Sequence, residues 1–165
     1  MPSRLDAMFA AYFATHIPIT LLVDVVPLLP EHAIPRPLRA LNAFLTGAVG
    51  DPFMVVGPQP GLVWFRSLLA AELALQLPFF FYAVWALWTA CPRRHLPLLV
   101  YGTHVATTMV PILASLLFGS IGRSAAERAR LAAMYLPYLL IPVSMAVVSY
   151  GRCARALAAR RSKAD

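Results

Sequence analysis

Residues 8–29 read MFAAYFATHIPITLLVDVVPLL. A run this long and this apolar matches the roughly 20 residues, at 1.5 Å rise each, that carry an α-helix across a bilayer core. It is longer than the apolar region of a secretory signal, lacks a convincing small-x-small cleavage site, and holds His16, Pro18 and Asp24. It is therefore expected to stay as a membrane helix. Asp24 is its most informative residue, because an ionisable side chain at membrane depth costs at least ~2.5 kcal/mol and is functional by default.

Outward from this stretch, three further apolar runs occupy about 62–90, 96–118 and 131–150. The 165 residues are 60% hydrophobic and only 13% charged, about half the charge of an ordinary soluble domain. Mean hydropathy is +0.70. Together these features predict an all-α integral membrane four-helix bundle. It forms a single domain over 1–165, with a basic tail at 151–165. The net charge of +7 does not indicate nucleic acid, since the bases sit at span ends and in the tail without interleaved aromatics. They fit contact with anionic lipid heads instead.

The connections carry their own signals. The first loop is rich in proline (Pro30, Pro35, Pro37, Pro52, Pro58, Pro60), and Leu38, Leu41 and Leu45 within it have the spacing of a short interfacial helix. The second, Pro92-Arg-Arg-His95, is tight. Ser124-Ala-Ala-Glu127 is a capping box that starts the fourth helix before it enters the bilayer. That helix is expected to run on through Arg152–Lys163. Four spans put both termini and the second loop on one side, with Arg4, Arg93, Arg94, Arg152, Arg155, Arg160, Arg161 and Lys163. Arg36, Arg39, Arg66, Arg123, Arg128 and Arg130 fall on the other side. The excess of bases places both termini in the cytosol.

Each span has one polar line. Tyr12, His16, Thr20 and Asp24 recur every four residues, drifting only ~40° per step. Glu72 and Gln76 lie on the second span, and Tyr101, His104, Thr108 and Ser115 on the third. Tyr135, Tyr138 and Ser149 lie on the fourth. Such lines either glue helices together or surround a semi-polar interior. His16 and His104 read as interior histidines, since no metal-ligand spacing accompanies them. Cys91 and Cys153 read as free thiols or palmitoylation sites, and neither a metal nor a cofactor is expected.

The first two spans run antiparallel, so Asp24 and Glu72 fall in the same half of the bilayer. Two close carboxylates in a low dielectric do not both ionise cheaply, so they are expected to share a proton. The charged member then pairs with a ligand amine. Pro18, Pro78, Pro111, Pro137 and Pro142 put at least one proline in every span. Kinks in all four walls favour an intramembrane ligand pocket over tight coiled-coil packing, although they also serve simply to fit a bundle to lipid. Phe79, Phe80, Phe81, Tyr82, Tyr135 and Tyr138 suit a flat hydrophobic ligand.

Several blocks carry a resemblance: HIPITLLVD (16–24), DPF (51–53), WFRS (64–67), ELALQLPFF (72–80), HVATTMVPIL (104–113) and YLPYLLIP (135–142). In order along nearly the whole chain they resemble the sigma-2 receptor (transmembrane protein 97) family. That family lies within the EXPERA superfamily, which also holds the emopamil-binding sterol isomerases. The resemblance implies an endoplasmic-reticulum protein, with the nuclear envelope or endolysosomal membranes as further locations. It implies a homodimer that binds sterols, oxysterols or cationic amphiphiles, with sterol-transport proteins as partners. By motif, Asp24 resembles the carboxylate that pairs with the amine, Glu72 its protonated partner, and Asp51 the loop acid needed for binding. His16, Gln76, Thr108, Tyr135 and Tyr138 fall in blocks that line or support the site. The family's lysine-rich retrieval tail is reduced here to Arg161-Ser-Lys163-Ala-Asp. A non-enzymatic regulator of sterol homeostasis or trafficking is the leading expectation. The alternatives are a sterol double-bond isomerase, which would protonate a ring double bond, and a membrane factor assisting mitochondrial precursor targeting. Against the isomerase, those enzymes are longer and have a fifth span.

Overall fold

The computed structural model describes residues 3–119 and 124–162, and all regular structure among them is helical. The α-helices are α1 (Arg4–Ile19), α2 (Arg36–Phe44), α3 (Val63–Ala71), α4 (Leu77–Trp88), α5 (His95–Phe118), α6 (Ala125–Tyr135) and α7 (Pro137–Arg161). Four helical stretches, Arg4–Leu28, Pro60–Trp88, His95–Phe118 and Ala125–Arg161, are long and apolar enough to cross a membrane. They coincide with the four apolar runs. The last is longer than its run at both ends, for the two reasons the sequence supplies. Ser124 accepts from the Glu127 amide while the Glu127 carboxylate accepts from the Ser124 amide. At the other end, Arg152–Arg161 continues α7 without a break. Arg123 and Lys163, with the truncated retrieval signal, lie outside the described residues.

The chain packs as two compact units, one of Met1–Phe9 with Trp85–Asp165 and the other of Ala10–Val84. In the first, α5 buries Leu98, Gly102, Val105, Met109, Ile112 and Leu116 at alternating steps of four and three. Its partner α7 buries Pro142, Met145 and Ser149. This is the seam of a two-helix pair rather than of a polar line. The contact is closest at Gly102, where an added Cβ would stand 2.5 Å from the Pro142 carbonyl oxygen and 2.9 Å from the Ala146 amide. Small residues let membrane helices approach in this way. Tyr101 is buried on this face but His104 is exposed, so His104 is not the interior histidine its spacing suggested. The seam selects 98, 102 and 105, and His104 falls outside it.

In the second unit Phe13, Phe53, Phe65 and Phe80 are buried. Phe13 meets Phe80 at 5.7 Å between ring centroids, and Phe53 stacks on Phe65 at 4.6 Å. The expected short helix in the first loop is α2, with Leu38, Leu41 and Leu45 half-buried. Three turns here are π-helical: Thr20–Asp24, Leu45–Val49 and Glu72–Gln76. In the first the Val25 amide reaches back to the Thr20 carbonyl at 3.1 Å, and in the third the Leu77 amide reaches the Glu72 carbonyl. A proline follows each within three residues, at Pro27, Pro52 and Pro78. Proline has no amide to donate, and its ring presses on the carbonyl four residues back. A widened turn relieves both problems. Pro18, Pro78, Pro111 and Pro142 lie inside continuous helical stretches, whereas Pro137 sits in the first turn of α7. A first helical turn has no use for the missing amide.

Candidate ligand-binding site

Each expected carboxylate of the Ala10–Val84 unit is carried by, or directly follows, one of the π turns. Asp24 ends the first, Glu72 opens the third, and Asp51 comes just after the second. Such turns in helices recur at functional sites because they displace a side chain from the regular ladder. The four-residue row Tyr12, His16, Thr20, Asp24 survives the change. A wider turn offsets the ~40° drift that four α-helical residues accumulate.

Thr20 is at the centre. It is fully buried, and its Oγ1 donates to Glu72 Oε1 at 2.6 Å. The Asp24 carboxyl lies close to the same threonine and within electrostatic reach of both Glu72 and Asp51. A hydroxyl has one hydrogen and two lone pairs. Thr20 spends that hydrogen on Glu72, so a charged Asp24 carboxylate, which only accepts, has the threonine as a close neighbour rather than as a donor. One turn earlier His16 is buried, its ring against Tyr12 at 4.7 Å and Phe80 at 5.3 Å. These rings pack on one another one helical turn before Thr20.

Asp51 is positioned by its loop. Gly50 adopts a left-handed conformation, φ 74°, which a residue with a Cβ occupies at a cost. This turns the chain so that the Asp51 amide donates to the Leu45 carbonyl at 2.9 Å. The Asp51 carboxylate then accepts from the Phe53 amide at 2.9 Å. Asn42 is buried and its Nδ2 donates to the Met54 carbonyl at 2.6 Å. Arg66 donates to the Val55 carbonyl at 3.2 Å and also to the Gly57 carbonyl. Arg66 is thus engaged with the loop backbone rather than neutralising the acids. Neither Asn42 nor Arg66 was expected from sequence as a support of the site. The only signal was a base and an amide placed among prolines that leave carbonyls unsatisfied.

The remaining expected residues divide. Gln76 ends the third π turn and is half-buried. Thr108, Tyr135 and Tyr138 belong to the other unit. There the Thr108 hydroxyl donates to its own helix at the Val105 carbonyl, 3.0 Å away. Tyr135 and Tyr138 are half-buried on either side of Leu136, where α6 passes into α7.

That unit also holds a polar cluster the sequence did not announce. Asp6, 2% exposed, caps α1 through Ser3 and accepts from Arg94 at 3.2 Å and from Arg152 at 3.5 Å. Arg94 also donates to the Cys91 carbonyl at 2.9 Å, and Arg152 Nη1 lies 2.9 Å from His95 Nε2. No group of metal-ligating side chains occurs among the described residues.

Residues 37–149 match the family model EXPERA, the expanded EBP superfamily. The chain belongs to the EXPERA family. Over 147 residues it is 40% identical to Sigma intracellular receptor 2 of Xenopus tropicalis, covering 84% of each chain. It is 36% identical over 146 residues to the protein of that name in Homo sapiens, covering 82% of this chain and 81% of that one. It is also 28% identical over 161 residues to Efficient mitochondria targeting-associated protein 19 of Schizosaccharomyces pombe, covering 96% of this chain and 82% of the other. These EXPERA relatives are named for a receptor and for a targeting association, not for a catalysed reaction. The matched region contains Asp51 and Glu72, whereas Asp24 lies before it.

Proposed function

We propose that this EXPERA membrane protein is a binding protein for sterols, oxysterols and cationic amphiphiles, and that it regulates sterol homeostasis or trafficking. Asp24 pairs with the ligand amine. Glu72 is the protonated member of the pair and orients Asp24, and Asp51 fixes the loop beside them. His16 and Gln76 support the site. The protein resides in the endoplasmic-reticulum membrane as a homodimer with both termini cytosolic. The observation that supports this reading most is the buried Thr20 hydroxyl on Glu72, beside Asp24. Two acids held together in an apolar setting with no guanidinium spent on them are complementary to a cation. Lipid extraction of the purified chain and mass spectrometry test it. Sterol retained near stoichiometrically is expected, and a sterol content no higher than that of an unrelated four-span protein would reject it.

A sterol isomerase reading draws on the EXPERA membership itself, since an acid pair next to a histidine can protonate a double bond. Cells lacking their sterol double-bond isomerase distinguish the two. We expect no rescue by this chain, and accumulation of the isomerised sterol would move it to the enzymes. A targeting role for mitochondrial precursors draws on the Schizosaccharomyces pombe relative. Its test is precursor import in cells depleted of this protein.

A further inference from the structure

The Asp6 cluster has no part in that reading, and its chemistry is unbalanced. Two guanidinium groups converge on one carboxylate, which leaves a positive charge in excess. An arginine cannot accept a hydrogen bond. His95 Nε2 must therefore be the acceptor from Arg152, which puts the ring proton on Nδ1. That Nδ1 is buried and finds no partner among the described residues. The hydroxyl of Ser149, one turn before Arg152 on α7, is likewise buried and without a partner there. Buried orphan donors cost about 1–3 kcal/mol each, and natural proteins keep them where something else fills them.

The depth of the cluster identifies what fills it. Arg94 and His95 stand at the start of α5, and Arg152 follows the most apolar part of α7. Trp88 and Tyr150, 69% and 66% exposed, sit at neighbouring positions of the same unit. Exposed tryptophan and tyrosine mark the headgroup level of a bilayer. Arg152 is still 29% exposed there, so its fork is within reach of that level. An acceptor with negative charge and several oxygens answers the imidazole N–H and the arginine donors that Asp6, His95 and the Cys91 carbonyl leave free, most of them on Arg152.

We propose that Arg94, Arg152 and His95 bind the phosphate of an anionic phospholipid headgroup, with Asp6 bridging the two arginines. Free phosphate offers the same oxygens without the acyl chains, so the experiment must separate the two. The purified full chain in detergent is titrated with phosphatidylserine, phosphatidylcholine or inorganic phosphate, and both the thermal midpoint and lipid adducts in native mass spectrometry are read. Phosphatidylserine alone is expected to raise the midpoint. His95→Phe removes the N–H without changing charge and lowers phosphatidylserine affinity about tenfold, as Arg152→Gln also does. Arg155→Gln, on the exposed face of the same helix, loses no more than about fivefold, the ordinary effect of one surface base. If Arg152→Gln does not fold, Arg152→Lys takes its place, since it keeps the charge and loses the fork. Wild-type affinity in both the His95 and Arg152 variants overturns the proposal. So does an equal shift with phosphatidylcholine, or a shift reproduced by inorganic phosphate at the same concentration.

Discussion

The Thr20 hydroxyl donates to Glu72 across 2.6 Å, joining two π-helical turns that lie 52 residues apart in sequence. One short bond thus fixes the register of the first span on the second where both leave α-helical geometry. It also gives the two carboxyl groups a common neighbour, from which the first two predictions follow.

Asp24→Asn keeps the shape of the side chain but removes the charge. It should abolish binding of cationic amphiphiles while the protein still inserts and folds. A radioligand or thermal-shift assay showing retained affinity would contradict the pairing of Asp24 with the amine.

Glu72 is tested by contrast. If it is the protonated member of the pair, Glu72→Gln preserves a donor and costs little affinity. Glu72→Ala removes the partner that orients Asp24, and truncating one partner of a buried charge costs roughly 2–5 kcal/mol. The expected order is wild type close to Gln, with Ala far below. Equal loss in both variants, each still folded, means that Glu72 acts as a charge and that the single-proton arrangement is wrong.

Arg66→Met keeps the length of the side chain and removes its donors to Val55 and Gly57. Two carbonyls then lack a partner, so a loss of about 1–3 kcal/mol in stability is expected. Amide hydrogen exchange should rise across residues 51–57 and change little in α5 and α7. Unchanged exchange in the loop would show that Phe53 and Asn42 alone hold it.

Gly102→Ala forces a Cβ against backbone atoms of Pro142 and Ala146, which cannot move aside as a flexible side chain does. Overpacking of this kind costs about 1–3 kcal/mol. Gly61→Ala, with nothing within 4 Å of its added Cβ, serves as the comparison. Equal thermal midpoints for the two variants would refute the close α5–α7 contact.

The spans were legible because a membrane demands some twenty apolar residues in a row, and that demand is written in composition. Asp24 and Glu72 were legible for the same reason, as breaches of the rule. The π turns were not. A row spaced by four reads as an α-helix whether or not one of its turns is widened, and the prolines that accompany the widening read as kinks. Asp6 was invisible in a different way. After Ser3 it looks like an ordinary capping acid, and Arg94 and Arg152 look like ordinary cytosolic bases. Their meeting depends on partners 88 and 146 residues away. His104 was misjudged because two regular spacings coexist on α5, and packing against α7 selects the one that includes Gly102.

The unbroken course of α7 has a mechanical consequence. From Tyr150 to Arg161 the helix climbs about 16 Å along its own axis. That is twice the ~8 Å over which physiological salt screens a charge. Arg160 and Arg161 therefore stand at the far end of a stiff helix, more than one such screening length along it from Arg152, so a charge that meets one end is not felt at the other.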